Sequence, residues 1–298
     1  MKKALALILT ASLLTGVLTA CGSSKAQTDA AETTTEEAAA EETADTDAQA
    51  ETGDLQVITV AATAVPHAEI LEAAKPILAE QGYDLQITVF DDYVQPNEVV
   101  EAGDIDCNYF QHIPYLNSYN EERGTHLVSV GEIHYEPIGI YAGTESDLSN
   151  IPDGADIAIP NDTTNEARAL LILQDNGIIT LKEGAGIDAT INDIAENPHN
   201  INFVEMEAAQ VSKVLSEVAF AVINGNYALD AGLNAQTDAL ASETSDSLAA
   251  QTYVNVVVVK EGNEDNEGVK ALVDVLKSDD IKKFIEETYE GAVVPFEG

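Results

Sequence analysis

From residue 55 onwards, short apolar runs alternate with apolar residues spaced three and four positions apart. The run Leu55–Val60 predicts a buried strand, and the stripe in Glu69–Ala79 predicts a helix that ends before Gly82. A second strand over Leu85–Phe90 and a short helix ending at Gly103 follow. This β-α-β-α order predicts a parallel sheet with crossover helices.

The middle of the chain repeats the alternation, which predicts a second α/β lobe. The predicted strands are Leu127–Val130, Ile138–Tyr141, Asp156–Ile159, Ile201–Val204 and Ala219–Ile223. The predicted helices are Thr164–Gln174, Ile187–Glu196 and Val211–Leu215. Residues 234–251 are small and polar without periodicity, so we expect a long loop there. A β-prone run and two striped helices close the pattern, at Tyr253–Val259, Val269–Leu276 and Ile281–Ile285.

The first twenty residues are predicted to be an export signal peptide. Met1–Lys3 is basic, and Ala4–Val17 is apolar but too short to span a membrane comfortably. The following Leu18-Thr19-Ala20-Cys21 resembles the lipobox of bacterial lipoproteins, which implies cleavage and a lipid on Cys21.

Residues 21–53 are predicted to be a lipidated cysteine and a disordered acidic tether, because large apolar side chains are almost absent. A short Glu/Ala helix at the centre of this segment is the alternative. The whole chain carries 53 acidic and 13 basic residues, a net charge of −40, which repels nucleic acid and anionic lipid headgroups. Cys107, the only other cysteine, permits no disulfide framework and is expected to be a small core residue.

The stretch Gly103–Leu116 holds three aromatic residues and a histidine within Tyr109–Tyr115, in a chain with only 5% aromatic residues. Asn, Gln and His stand among these aromatics, a mixture that suits the lining of a small-molecule pocket. On the residues alone, a buried strand end followed by a proline-broken helix start is equally open.

The start of the predicted helix after residue 160 has features of an anion site. Thr163-Thr164-Asn165-Glu166 has the spacing of a capping box with Thr163 as the cap. Asn165 and Arg168 lie three apart on one face, where free amide donors and a planar guanidinium could bind a carboxylate or phosphate. The alternative is a surface arginine paired with Glu166 or another nearby acid.

Other motifs are weaker. Ala221–Tyr227 predicts a strand with Asn224 at its carboxyl end, where α/β sheets meet ligands, although a plain Asn-Gly turn is an equal alternative. Gly184–Ala189 fits a dinucleotide fingerprint but follows no clear strand, so we predict a loop. The five histidines show no metal-ligand spacing, and no nucleophile, phosphate-loop or paired-carboxylate motif is present. The sequence therefore indicates no catalytic residue, cofactor or metal site.

Several motifs together resemble the NlpA/MetQ lipoproteins, the methionine-binding components of ABC importers. They occur in family order across nearly all of residues 54–298, at Asp92–Asn97, Gly103–Asp106, Tyr109–Leu116, Pro160–Leu170, Glu196–Pro198 and Ala221–Asn224. The resemblance implies an α/β, two-lobed periplasmic-binding-protein fold, type II-like, with a ligand cleft between the lobes. Residues 54–138 and 253–298 would form lobe 1, and residues 139–252 lobe 2.

The resemblance also implies the roles of seven site residues. Arg168 would bind the ligand carboxylate, and Asn165 and Asn224 its other backbone polar groups. The side-chain pocket would be formed by Tyr93, Phe110, His112 and Tyr115.

We therefore expect a monomeric, lipid-anchored, extracytoplasmic protein that captures methionine and delivers it to the permease and ATPase of an ABC importer. It is expected to be no enzyme and to need no cofactor. Gly22 after Cys21, with the long acidic tether, favours the outer face of a Gram-positive membrane. The alternatives are a methionine-containing dipeptide or another apolar amino acid as the ligand. An enzyme on this fold is weaker, with His112 as its only candidate acid or base.

Overall fold

The computed structural model describes residues 55–244 and 251–298. The predicted signal peptide, the lipid on Cys21 and the tether lie outside these residues. Within them, no helix combines the length and the apolar character needed to cross a membrane.

Strands and helices alternate along most of the described chain. The strands are β1 Gln56–Ala62, β2 Tyr83–Val89, β3 Cys107–His112, β4 Leu127–Tyr135, β5 Gly139–Ala142, β6 Asp156–Pro160, β7 Thr180–Leu181, β8 Ile194–Glu196, β9 Asn202–Met206, β10 Phe220–Ile223, β11 Ala239–Ser242, β12 Val254–Lys260 and β13 Val294–Pro295. The α-helices are α1 Glu69–Glu80, α2 Gln95–Ala102, α3 Ile113–Arg123, α4 Thr163–Asp175, α5 Ala208–Val211, α6 Gly225–Asp230, α7 Glu267–Leu276 and α8 Asp279–Tyr289.

The first sheet has six strands in the order β13-β4-β12-β3-β1-β2 and is built from both ends of the described chain. The predicted parallel arrangement is confirmed for β1, which runs parallel to β2 and β3. Strand β12 instead returns antiparallel between β3 and β4. The sheet is therefore mixed.

The second sheet has five strands in the order β11-β5-β10-β6-β9 and is built from the middle of the chain. Strand β6 runs parallel to β9 and β10, whereas β5 is antiparallel to β10 and β11. The chain passes from the first sheet to the second through residues 136–138, and it returns between β11 and β12.

Both sheets are covered by helices on their two faces, and side-chain alternation along the strands divides the core accordingly. In β12, Val257 and Val259 pack with residues of α1, α7 and α8, while Val256 and Val258 pack with residues of α2 and α3. In the second sheet, Ile157 and Ile159 face α4, and Ala158 faces α5. Two layered cores thus hold the cavity-lining segments at the strand ends.

Three sequence predictions need correction. The predicted helix Ile187–Glu196 is wrong, because a 3₁₀ turn and β8 occupy its second half. Ile187 is 48% exposed, so the apolar residues with helical spacing do not form one buried stripe. The predicted loop over residues 234–251 contains β11 within its described part. The helix expected at Val211–Leu215 starts earlier, as α5, and continues as a 3₁₀ turn.

Gly143 marks a close approach between segments of the second sheet. A Cβ at this position would lie 2.2 Å from the carbonyl oxygen of Val218 and 2.7 Å from that of Leu215. We expect Gly143→Ala to lower the free energy of unfolding by about 1–3 kcal/mol, because backbone must move to admit the methyl group. Urea unfolding monitored by circular dichroism measures the change.

Gly186→Ala is the matched control, because the nearest atom to its added Cβ, an oxygen of Asp188, is 3.7 Å away. Its unfolding free energy should stay within about 0.5 kcal/mol of the wild type. Equal stability of the two variants would contradict the packing argument.

Candidate functional site

The seven residues singled out by the sequence line one small cavity between the two sheets. Elements of the first sheet contribute Tyr93, Phe110, His112 and Tyr115, and elements of the second contribute Asn165, Arg168 and Asn224. The stretch Gly103–Leu116 combines both of its predicted interpretations. It contains the buried strand β3 and a helix start at Ile113-Pro114, and the junction between them lines the cavity.

One end of the cavity is aromatic. The ring of Tyr93 lies 5.8 Å from that of Phe110 and 5.6 Å from that of Tyr115, measured between centroids. The Tyr115 hydroxyl donates to the Tyr93 carbonyl at 3.0 Å, which fixes the two rings relative to each other. This wall offers polarizable apolar surface with little freedom to rearrange.

His112 is held in one neutral tautomer. Its Nδ1 accepts from the backbone N–H of Tyr115 at 3.1 Å, so the proton resides on Nε2, which donates to Asn165 Oδ1 at 3.1 Å. Burial, and next the nearby Arg168 charge, lower the pKa of His112 from 6.5 to about 3. Both ring nitrogens are therefore engaged, and the ring is uncharged near neutral pH.

Two amides from the second sheet meet His112. Asn165 Oδ1 accepts from His112 and also from Asn224 Nδ2 at 2.7 Å. Asn224 begins α6 rather than a simple turn, and its Oδ1 is buried with no donor among the described residues. A buried acceptor without a donor is costly, so Asn224 Oδ1 is ready to receive a ligand N–H.

The predicted capping box is wrong. Helix α4 begins one residue earlier, with Asp162 as the cap: its Oδ1 accepts from the Asn165 backbone N–H at 3.1 Å. Asp162 also accepts two bonds from Asn165 Nδ2, which orients that amide toward the cavity. Glu166 does not reach back to the helix start and instead accepts from the Ile191 backbone N–H at 2.8 Å.

Arg168 is buried, with 3% exposure, and pairs with a distant acid rather than with Glu166. Its Nε and Nη2 donate to the two oxygens of Glu243 at 3.0 and 2.5 Å, and Nη2 also donates to the Glu136 carbonyl at 2.8 Å. Nη1 takes no part in these three bonds. Burial opposes its charge, but the Glu243 carboxylate raises the pKa of Arg168 above its ordinary value. The site thus has a permanent cation with one donor group uncommitted.

Five further residues that were not predicted from the sequence line the cavity, namely Gln111, Glu136, Gly225, Asn226 and Asn255. Glu136 is 5% exposed and adds a buried carboxylate to the site. A single acid within the apolar run around Ile133–Tyr141 is the signal that could have revealed it. Asn226 donates its backbone N–H to Glu136, and its Oδ1 accepts from the Tyr93 hydroxyl at 2.5 Å.

Two histidines without metal-ligand spacing in the sequence converge on Glu136. His134 Nε2 lies 2.7 Å and His67 Nε2 3.4 Å from Glu136 Oε1. The outer nitrogens bond to hydroxyls, His67 Nδ1 to Thr63 at 2.8 Å and His134 Nδ1 to Tyr109. Every ring nitrogen of this cluster therefore already has a hydrogen-bond partner, and the geometry fits a proton-ordered network that holds Glu136.

This network should make stability depend on pH. Burial lowers the pKa of His67 from 6.5 to about 4 and that of His134 to about 3. The unfolded chain, with ordinary histidines, binds more protons in this window, so stability falls as pH decreases from about 6.5, by up to ~1.4 kcal/mol per pH unit for each histidine. The raised pKa of Glu136, caused by burial, acts in the opposite direction and partly offsets this loss.

We expect His134→Gln, which retains an N–H for Glu136, to reduce the proton uptake on unfolding by about one between pH 6 and 4.5. Urea unfolding at a series of pH values measures this slope. His126→Gln is the control, because that imidazole is 65% exposed, and it should leave the slope unchanged. Identical slopes for the two variants would refute the assignment.

Comparison with known proteins identifies the family of this chain. The model of the NlpA lipoprotein family matches residues 58–297. The methionine-binding lipoprotein MetQ of Bacillus subtilis is 41% identical over 250 residues, which are 83% of this chain and 90% of that protein.

Solved structures show the same fold. A Ruminococcus gnavus protein is 66% identical with a TM-score of 0.80, covering 81% of this chain and all of that one. A nutrient-binding protein of Burkholderia cenocepacia, solved bound to methionine, is 42% identical with a TM-score of 0.76, covering 80% of this chain and 99% of that one. The predicted two-lobed binding-protein fold is confirmed, and the chain belongs to the NlpA lipoprotein family.

Proposed function

We propose that this protein is an extracytoplasmic solute-binding lipoprotein that captures methionine and delivers it to an ABC importer. The observation that carries the proposal is one cavity with an aromatic wall at one end and a fixed cation beside an unpaired acceptor at the other. That combination complements a zwitterion with an apolar side chain. The methionine-binding relatives support methionine as the occupant.

In this proposal the ligand carboxylate binds Arg168. The Nε–Nη2 fork of the guanidinium already holds Glu243, so it is not free for a two-pronged contact with the ligand. The carboxylate would therefore use Nη1, with the charge of the guanidinium strengthening the bond.

The ligand ammonium would lie against Asn224 Oδ1, which lacks a donor among the described residues, and the Glu136 carboxylate. The thioether would contact Tyr93, Phe110 and Tyr115, because sulfur packs favourably at aromatic rings. The hydrogen bond between Asn165 and His112 would keep these two side chains in position beside the polar groups of the ligand.

We further propose that the lobes follow the two sheets, with residues 54–138 and 253–298 in one and residues 139–252 in the other. Direct bonds already join the sheets' elements, such as His112 to Asn165 and Tyr93 to Asn226. A ligand that touches both lobes only when they are closed shifts the open–closed equilibrium toward closure. The lipid on Cys21 would hold the protein at the outer membrane face, near the permease and ATPase.

A dipeptide remains the second candidate because a larger cleft of about 340 Å³ adjoins the cavity. Tyr93 and Tyr115 line both spaces, so an additional residue could extend past them. Catalysis has less support, since His112, the only candidate base in the sequence, has both nitrogens engaged.

The decisive experiment identifies the small molecule that copurifies with the protein, by mass spectrometry after denaturation. We expect methionine, and isothermal titration of the stripped protein should show that methionine rebinds. A dipeptide mass would support the second candidate, and conversion of the ligand over time would support an enzyme. Absence of binding by methionine to the folded, stripped protein would refute the proposal.

Arg168→Ala should weaken methionine binding at least about tenfold, because a charge-assisted bond to the carboxylate is lost. This variant also leaves Glu243 buried without its cation, which is destabilising. The double variant Arg168→Ala/Glu243→Gln removes both charges and should remain folded by circular dichroism while binding equally weakly. Near-normal affinity in the folded double variant would contradict the role of Arg168.

A further inference from the structure

Glu243 lies outside the cavity but contacts the residue that faces it. Its carboxylate accepts four hydrogen bonds: two from Arg168, one from the Tyr135 hydroxyl at 2.6 Å and one from the Ile138 backbone N–H at 3.1 Å. Arg168 and Glu243 are both nearly buried, with side-chain exposures of 4% and 11%. The carboxylate is therefore saturated and fixed in position.

These bonds determine how the guanidinium is oriented. Glu243 fixes it within its plane through Nε and Nη2, and Tyr253 covers one face, with its ring centroid 4.2 Å from the central carbon. Rotation out of this plane would break the bonds to Glu243 and is opposed by Tyr253 on one face. The remaining donor, Nη1, is consequently held in one position on a residue that lines the cavity.

The same contacts coincide with the two passages of the chain between the sheets. Tyr135 immediately precedes the first passage, residues 136–138, and Ile138 ends it. Glu243 follows β11 at the start of the return, and Tyr253 precedes β12 at its end. The Glu243 backbone N–H also donates to the Ile138 carbonyl at 3.1 Å, which joins the two passages directly.

We infer that Glu243 is a positioning residue for ligand recognition, which orients Arg168 so that Nη1 meets the ligand carboxylate and ties that contact to both inter-sheet passages. This inference rests on the proposed function. It predicts an effect on the carboxylate contact alone. A role limited to stability would weaken all ligands equally. If Glu243 merely neutralised Arg168, its removal would instead strengthen carboxylate binding.

The test compares L-methionine with L-methioninamide, which lacks the carboxylate charge, by isothermal titration of full-length protein. The wild type should prefer methionine by at least about tenfold. In Glu243→Gln the amide places a donor against the guanidinium, so this preference should fall by about tenfold while methioninamide affinity changes less than about threefold. Tyr135→Phe, which removes one bond to Glu243, should give a smaller loss of preference.

Glu286→Gln, at an exposed position of α8, is the matched control and should keep the wild-type preference. An unchanged or increased preference in Glu243→Gln, or equal losses for both ligands, would overturn the inference. If Glu243→Gln does not fold, Tyr135→Phe decides by the same criteria. Failure of the proposed function is separate, because the wild type itself would then bind neither ligand or show no preference.

Discussion

The structure depends on the burial of one positive charge. A guanidinium removed from water is tolerated only when it is paired and hydrogen-bonded, and Arg168 is 3% exposed. Glu243 provides the countercharge, the Glu136 carbonyl takes a further N–H, and Tyr253 covers a face. All three residues lie where the chain passes between the sheets. The residues that compensate the buried charge therefore also define the course of both passages.

The other polar groups near this ion pair are neutral or internally bonded. Burial keeps His112, His67 and His134 uncharged, and the contacts of the last two with Glu136 order its carboxylate. The unpaired acceptor at Asn224 lies among them. Because unsatisfied buried groups discriminate more strongly than apolar contacts, this arrangement favours a ligand that carries a donor and an anion at a defined spacing.

Local patterns were sufficient to predict much of this site. Apolar runs located β1 and β12, whereas the stretch that contains β3 had two open interpretations. The residue mixture around His112 and the position of Arg168 pointed to segments that line the two halves of the cavity. The failures share a cause: Glu243 contacts Arg168 across 75 positions, and no local periodicity reports such a pairing. Likewise, Asp162 displaced Thr163 as helix cap because the chain enters α4 one residue earlier than the capping-box spacing suggests. Ile187 had helical spacing but no surface to pack against.

Closure does not depend on the ligand alone. His112–Asn165 and Tyr93–Asn226 join elements of the two sheets through buried or partly buried bonds, and Thr163 donates to Glu122 at 2.8 Å near the surface. In the proposed open–closed equilibrium, such bonds would raise the population of the closed form before any ligand binds, and apparent affinity scales with that population. In the proposed binding mode the ligand would add its polar contacts to Arg168 Nη1, Asn224 Oδ1 and Glu136 to the bonds that the protein makes itself. A carrier must also release its ligand. Dividing the bonds of the closed form between protein and ligand helps release, because opening breaks the protein's own bonds together with the few that hold the ligand.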